Sequence, residues 1–438
     1  MKIQGVKGTR DLYPELLAPI RHIFDVWRRV SIRHGFEEYE GPTLEYLDLY
    51  REKSGEELVG QLYRLTDSGG RELALRPEMT PTLARMVAAK VSALPKPIKW
   101  FSIPTLFRGE NVQRGRLREF YQWNIDVIGT ADPLADAECI LVGVEALREL
   151  GLTAADFAVH ISNRRLMSAL LAAGGIAPDR HDQAFALMDK AGKLDAAEFA
   201  RRWDGAFATN LSAAALSELM AAKGLAELES VAVRLGERTA ALDEAVAETG
   251  RLMTILDNFG ITEFCKIDLR VVRGLAYYTG PVFEFYDRSE KERAICGGGR
   301  YDDLLGKLGK SKEPAVGFGM GDVVLSLILE EKGLLGAVRR GGLAFVADAI
   351  DGMRPHVYRI VADLRRGGVT TEFSYAPQAF GKQMKLADKL GAQFVVIVGE
   401  DTRVRQVVKI KNMAGGGERE VSLKELCAEP IRFLGPAK

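Results

Sequence analysis

Residues 118–127 constrain the fold more than any other stretch, because they alternate strictly between two faces of an extended chain. Arg118, Phe120, Gln122, Asn124 and Asp126 fall on one face, and Tyr121, Trp123, Ile125 and Val127 on the other. At helical spacing both sets would scatter around the axis. The pattern predicts a strand whose apolar face packs on a core while its polar face lines a pocket. With the residues before it, the region 98–129 reads as two strands around a turn rich in Gly and Arg. Arg108, Arg114, Arg116 and Arg118 all lie inside or beside that turn.

Other segments fall into place around the hairpin. Leu16, Ile20, Ile23, Phe24, Trp27 and Val30 recur at helical spacing, predicting an amphipathic helix over 15–34. From 163 to 258 the chain turns alanine-rich and poor in aromatics, the text of a helical insertion. Strand-like text returns at 264–272 and 277–286, followed by Gly297-Gly298-Gly299 and a helix after Gly321. Past a break near 333–342, strands (343–347, 369–373, 394–398) alternate with helices (354–366, 382–390), which predicts a compact α/β module. The expected organisation is a core made of 1–162 and 259–332, an insertion of 163–258, and a C-terminal unit of 342–438.

Composition narrows the function classes. Lys and Arg total 60 against 60 Asp and Glu, so net charge names no partner, although a local basic surface can still bind nucleic acid. Cys139, Cys265, Cys296 and Cys427 form no CxxC pair, and the five histidines show no metal-ligand spacing. The N-terminus lacks a signal-peptide core and no apolar run could span a bilayer. These features predict a cytoplasmic protein without structural zinc or a membrane span.

Four motifs could carry chemistry, and each has a plain structural alternative. In Arg76-Pro77-Glu78-Met79-Thr80-Pro81, a carboxylate and a hydroxyl can bind an ammonium group, or Thr80 can cap a helix over 81–88. The arginines of the hairpin suit phosphate oxygens, or they protect a solvated edge. Arg273, between Val271-Val272 and Gly274 and near Tyr277 and Tyr278, suits an anionic substrate or a buried ion pair. Glycines 297–299 let a backbone approach a ligand, or serve a bulge or turn. Familiar nucleotide loops are absent. Gly309-Lys310-Ser311 has Leu304 where a phosphate loop needs Gly, and Gly317-Phe318-Gly319-Met320-Gly321 does not fit the dinucleotide fingerprint.

Taken in order, these segments resemble histidyl-tRNA synthetase, a family of class II aminoacyl-tRNA synthetases. The matching patches begin with Lys7 to Asp11, Gly41-Pro42-Thr43-Leu44-Glu45 as motif 1, and Arg76 to Thr80. The hairpin 107–129 follows as motif 2, Arg273 to Gly280 as the histidine-specific signature, and Gly297 to Asp302 with Gly317 to Gly321 flanking motif 3. The resemblance implies an α+β core, in which an antiparallel sheet is flanked by helices, with a helical insertion and a C-terminal α/β anticodon-binding domain. It also implies a homodimer built on motif 1, with L-histidine, ATP, magnesium and tRNA(His) as partners.

By motif position, Glu78, Met79 and Thr80 resemble histidine-binding residues, joined by Gln122, Asp126, Tyr277 and Tyr278. Arg108 and Arg273 resemble the two arginines that hold the α-phosphate beside the histidine. Glu110 falls near the adenine, and Gln113 and Arg116 near the acceptor end of the tRNA. The implied reaction attacks the α-phosphorus with the histidine carboxylate and then passes the adenylate to the tRNA, without a protein nucleophile. The chain departs from the family in three places. Asp322-Val323-Val324 replaces the usual Glu-Arg, Ala276 stands at a position commonly aspartate, and Asn111 follows Glu110 where arginine is common. The expectation is retained activity, with another cation covering the γ-phosphate. Two other readings are a non-catalytic paralogue, such as the regulatory subunit of ATP phosphoribosyltransferase, and an RNA-binding or sensor module.

Overall fold

The computed structural model describes residues 3–51, 60–191, 194–222, 224–235, 239–271, 278–308, 312–335, 343–415 and 417–435. The chain divides into two compact units, Met1–Ala337 and Val338–Lys438.

In the larger unit, the strands are β1 (Glu37–Glu38), β2 (Leu44–Tyr46), β3 (Arg64–Thr66), β4 (Glu72–Leu75), β5 (Ile98–Ser102), β6 (Thr105–Phe107), β7 (Glu119–Ile128), β8 (Phe157–Asn163), β9 (Cys265–Ile267), β10 (Pro281–Asp287), β11 (Cys296–Arg300) and β12 (Ala315–Gly321). The main sheet has nine strands in the order β1-β5-β7-β12-β11-β10-β8-β9, with β6 also paired to β7. It is antiparallel from β5 through β8. The outermost strands β1 and β9 each join in parallel, so the sheet is mixed at its edges. A small sheet, β2-β4-β3, stands apart.

The alternation of β7 decides what lies on each side of the sheet. Trp123, Ile125 and Val127 enter a core shared with the helix Pro14–Arg33, whose Ile20, Ile23, Phe24, Val26, Trp27 and Val30 are buried. Trp27 stacks on Trp123 at 5.7 Å between ring centroids, and the Trp123 indole N–H donates to Ser31 Oγ at 3.0 Å. The indole thus keeps its hydrogen bond while its ring contributes apolar area. The opposite face carries Phe120 and Gln122 toward a cavity and buries Asn124 and Asp126.

The glycine run is a strand, not a loop. β11 pairs Gly297 with Gly319, Gly298 with Phe318 and Gly299 with Gly317. A Cβ on Gly298 would sit 2.5 Å from the Phe318 Cβ, and one on Gly319 would sit 2.7 Å from the Gln122 side chain. These glycines let strands and side chains crowd together and leave bare backbone facing the cavity.

Helices Arg164–Ala173, His181–Met188, Ala196–Ala206, Ala213–Ala221, Leu225–Leu235 and Ala240–Asn258 occupy the interval between β8 and β9. They bury Leu166, Leu170, Trp203 and Leu216 among themselves, and the cluster runs on to Leu269 and Val282, so it is continuous with the core sheet. The helix after the Arg76 to Met79 patch starts one residue earlier than the cap reading expected. It spans Thr80–Lys90; the Met79 carbonyl accepts the Leu83 N–H, which makes Met79 the cap residue, and its thioether supplies no side-chain cap.

The smaller unit contains β13 (Ala344–Asp348), β14 (Thr371–Phe373), β15 (Phe394–Val398), β16 (Val407–Asn412) and β17 (Glu418–Ser422) in the order β14-β13-β15-β16-β17. The first three are parallel. The last two add antiparallel pairs that strand–helix alternation does not announce. Alternate residues of β13 feed two cores, Ala344 and Val346 toward the helix Arg354–Arg366, Phe345 and Ala347 toward Ala387 of the helix Phe380–Lys389. Covering both faces explains why β13 and β15 read as unbroken apolar runs. Among the described residues, no helix is long and apolar enough to cross a membrane.

Candidate active site

On the polar side of β7 lies a cavity of about 320 Å³. Arg108, Glu110, Arg116, Gln122 and Tyr278 line it together with Glu284, Arg293 and the backbone of Gly297, Gly298, Gly319 and Gly321. Motif 2, the end of the histidine signature and both glycine strands therefore meet in one space, although 211 positions separate Arg108 from Gly319. That size and mix of walls suit a small-molecule site.

Arg108 is held rigidly. Its Nε donates to the Pro77 carbonyl at 2.9 Å, and its guanidinium lies 5.4 Å from the Phe120 ring centroid. A stacked guanidinium fixed through Nε presents a preset fork to an oxyanion. Arg116 Nη1 approaches Glu110 Oε2 at 2.5 Å, yet that buried oxygen receives no aligned hydrogen bond. A ligand N–H would satisfy it.

Tyr278 joins the cavity to the residues behind it. Burial raises its hydroxyl well above the usual range, and the nearby carboxylates of Glu284 and Glu78 push the same way. Asp126 is buried behind the cavity wall and accepts the Tyr301 hydroxyl. Burial lifts its carboxyl to about 7, with the Tyr301 bond opposing. Met79 is turned into the core beside Gly41 and Arg76, and Thr80 opens its helix. Arg76 is structural, donating to Glu40 at 2.6 Å, the Gly41 carbonyl at 2.7 Å and the Thr105 carbonyl at 3.0 Å. Gln113 sits exposed at the hairpin tip, bridged to Arg116. Arg273 and Tyr277 lie outside the described residues.

Asp322, where the family pattern has a glutamate, is fully buried. It takes an ion pair from Arg10 at 2.7 Å and the Tyr121 backbone N–H at 2.9 Å. Burial raises its carboxyl, with Arg10 opposing. The patch Lys7 to Asp11 is thus tied to the start of the helix Asp322–Glu331. Glu284 and Arg293 escaped sequence reasoning. A carboxylate inside the apolar strand Val282-Phe283-Glu284-Phe285 was the available signal for the first.

The Asp126 carboxyl gives a pH prediction. Its folded value of about 7 exceeds the ordinary 3.8, so between those limits the folded chain keeps a proton that the unfolded chain has released. Its contribution to stability therefore falls as pH rises through that window and levels off above it. Asp126→Asn can still accept from Tyr301 but does not titrate. Urea unfolding at pH 5 and pH 8 should show the variant gaining on the parent protein at the higher pH. Equal pH dependence would refute this.

Residues 8–322 match a family model described as histidyl-tRNA synthetase, and residues 344–431 match one described as an anticodon binding domain. A histidine–tRNA ligase of Opitutus terrae is 41% identical over 428 residues, 97% of each chain. One from Natronomonas pharaonis is 40% identical over 96% of each. The solved histidyl-tRNA synthetase from Nostoc sp. PCC 7120 is similar with a TM-score of 0.84 at 25% identity, covering 99% of this chain and 100% of that one. A Bacillus halodurans structure described as an ATP phosphoribosyltransferase regulatory subunit/histidyl-tRNA synthetase has a TM-score of 0.75 at 26% identity, covering 91% of this chain and 99% of that one.

Proposed function

The chain belongs to the histidyl-tRNA synthetase family, and from that premise we infer that the cavity beside β7 is where it joins histidine to ATP. The enzyme is a histidine–tRNA ligase, activating L-histidine to histidyl-adenylate and transferring it to tRNA(His). The observation that carries the site is the convergence of Arg108, Glu110, Gln122 and Tyr278 from separate segments onto one space.

The step breaks the bond between the α- and β-phosphates and forms one between the histidine carboxylate and the α-phosphorus, releasing pyrophosphate. Arg108, fixed by Pro77 and Phe120, holds the charge building on the α-phosphate oxygens. Arg273 is assigned the same phosphorus by its motif. Glu110 takes the adenine amino group on the carboxylate that also faces Arg116. Gln122, Tyr278 and Glu78 hold the histidine, with Asp126 behind them, and Thr80 is assigned to the same ligand by its motif position. Met79 serves this pocket from the core side by seating the turn. Glu284 in the cavity wall would hold a magnesium ion brought in with ATP, which would supply positive charge to the phosphates.

Gln113 and Arg116 in the motif 2 turn meet the acceptor end of the tRNA, and the smaller unit reads the anticodon. Arg116→Ala is expected to lower tRNA charging about tenfold, the loss of one charged contact to phosphate, with a smaller effect on ATP–pyrophosphate exchange. Its tRNA binding should also depend less steeply on salt. Equal losses in both assays would move Arg116 from the tRNA to the first reaction. A homodimer is supported by the exposed Leu44, Tyr46 and Leu65 on the small sheet that holds motif 1, a surface a second copy would cover. Its reliance on ATP and tRNA supports a cytoplasmic location.

The regulatory-subunit reading draws on the Bacillus halodurans likeness, whose 91% coverage runs past the larger unit, so domain content does not separate the readings; the curated ligase relatives at 40–41% identity favour the enzyme. ATP–pyrophosphate exchange tested across amino acids decides the matter. Exchange with histidine alone is expected. Its absence would favour the paralogue, and exchange with another amino acid would refute the specificity.

A further inference from the structure

We propose that Arg293 is the cation that holds the distal phosphates of ATP in this enzyme, an assignment that rests on the synthetase reading of the cavity. A triphosphate brings several negative charges into the site, and Val323 stands where a guanidinium would otherwise reach it. Val323 and Val324 line the cavity at that end, and valine offers phosphate nothing.

The cations around this end of the cavity, Arg293 included, all have contacts of their own, so position and not freedom decides between them. Arg10 is committed to the buried Asp322 at 2.7 Å. Arg114 spans Glu292 at 2.6 Å and Glu331 at 2.5 Å, fastening the motif 2 turn to two other segments. Arg116 faces Glu110. Arg108 is anchored to Pro77 at the other side of the turn.

Arg293 differs in where its stem is held. It lines the cavity itself, three residues ahead of the strand β11 whose glycines form the cavity wall. A Cβ on Gly115, at the positive-φ position of the motif 2 turn, would lie 3.2 Å from Val324 Cγ2 and 3.8 Å from Arg293 Cδ. The Arg293 stem therefore runs in the angle between that turn and the first turn of the helix Asp322–Glu331. The helix N-terminus adds a favourable field for an anion there, and Gly321 carries no side chain to block it, with open space where a Cβ would stand. Glu292, the acidic residue next to Arg293, has its charge balanced by the ion pair with Arg114 at 2.6 Å.

The test uses the full-length enzyme in ATP–pyrophosphate exchange. Arg293→Ala should raise the KM for ATP and for pyrophosphate by about tenfold to a hundredfold, the worth of a charged hydrogen bond. The KM for histidine and the inhibition constant of AMP, which lacks the distal phosphates, should stay within about twofold of the parent values. Arg293→Lys should recover part of the loss, because it keeps the charge without the fork. Unchanged KM for ATP and pyrophosphate, or an equal rise in the AMP constant, would overturn the assignment. Loss of folding in Arg293→Ala would leave the lysine variant to decide, since a structural role predicts no selective change for pyrophosphate. Absence of histidine-dependent exchange in the parent enzyme would overturn the synthetase reading itself, an outcome visible before any variant is made.

Discussion

Arg108→Ala is expected to reduce ATP–pyrophosphate exchange by about a hundred- to a thousandfold, the range seen when one preorganised charge-stabilising donor is removed. The expectation follows from how the side chain is fixed. Its Nε is spent on the Pro77 carbonyl and its face lies over Phe120, so the guanidinium is oriented before any ligand arrives. Preset groups act mainly where charge develops, so kcat should fall more than the KM for histidine rises. Arg108→Lys should recover little, because an ammonium neither stacks on Phe120 nor keeps the Pro77 bond with the same geometry. Tryptophan fluorescence and circular dichroism would confirm that both variants fold. A folded Arg108→Ala enzyme within about fivefold of parent activity would show that this arginine is not the α-phosphate ligand.

The sequence and the structure agree best where one local pattern decides the outcome. The alternation over 118–127 sends Trp123 and Ile125 to the core and Gln122 to the cavity, as period-2 spacing requires. The amphipathic helix ending at Arg33 and the apolar strands of the smaller unit follow the same logic. What escaped the sequence depends on register between distant strands. Glycines 297–299 read as a bulge or turn in isolation and form a strand between β10 and β12, where Phe318 and the Pro281 carbonyl come too close for a Cβ. Asp322 reads as a departure in motif 3, and its partner Arg10 lies 312 positions away. Arg293 has no local signature at all, since its place in the cavity wall is set by how the motif 2 turn packs against a helix from the end of the domain. The C-terminal antiparallel pair is similar: alternation along the chain says nothing of strand direction.

The largest effect on stability is expected at Arg300, the arginine that follows the glycine run. Its side chain is 2% exposed and pairs with Asp136, itself 1% exposed, at 2.5 Å. Its N–H groups also donate to the Asp302 carboxylate at 3.3 Å, the Thr130 carbonyl at 3.0 Å and the Asp132 carbonyl at 3.3 Å, the last two tying β11 to the start of the helix Pro133–Glu149. Two opposing terms set the outcome of mutation. Removing both charges together can be nearly neutral, since their attraction only offsets the cost of taking them from water. Removing Arg300 leaves Asp136 buried without its charge partner, whereas removing Asp136 leaves Arg300 its pairing with Asp302 at 3.3 Å. Arg300→Ala should therefore lower stability by about 3–5 kcal/mol, whereas the double variant Arg300→Met, Asp136→Leu should recover most of that loss. All four tryptophans, Trp27, Trp100, Trp123 and Trp203, belong to the larger unit, so their fluorescence during urea unfolding reports on the unit that contains the pair. A loss below about 1 kcal/mol in the single variant would mean that water reaches Asp136. A double variant as unstable as the single would mean that the hydrogen bonds to Thr130 and Asp132, not charge pairing, hold β11 against the helix.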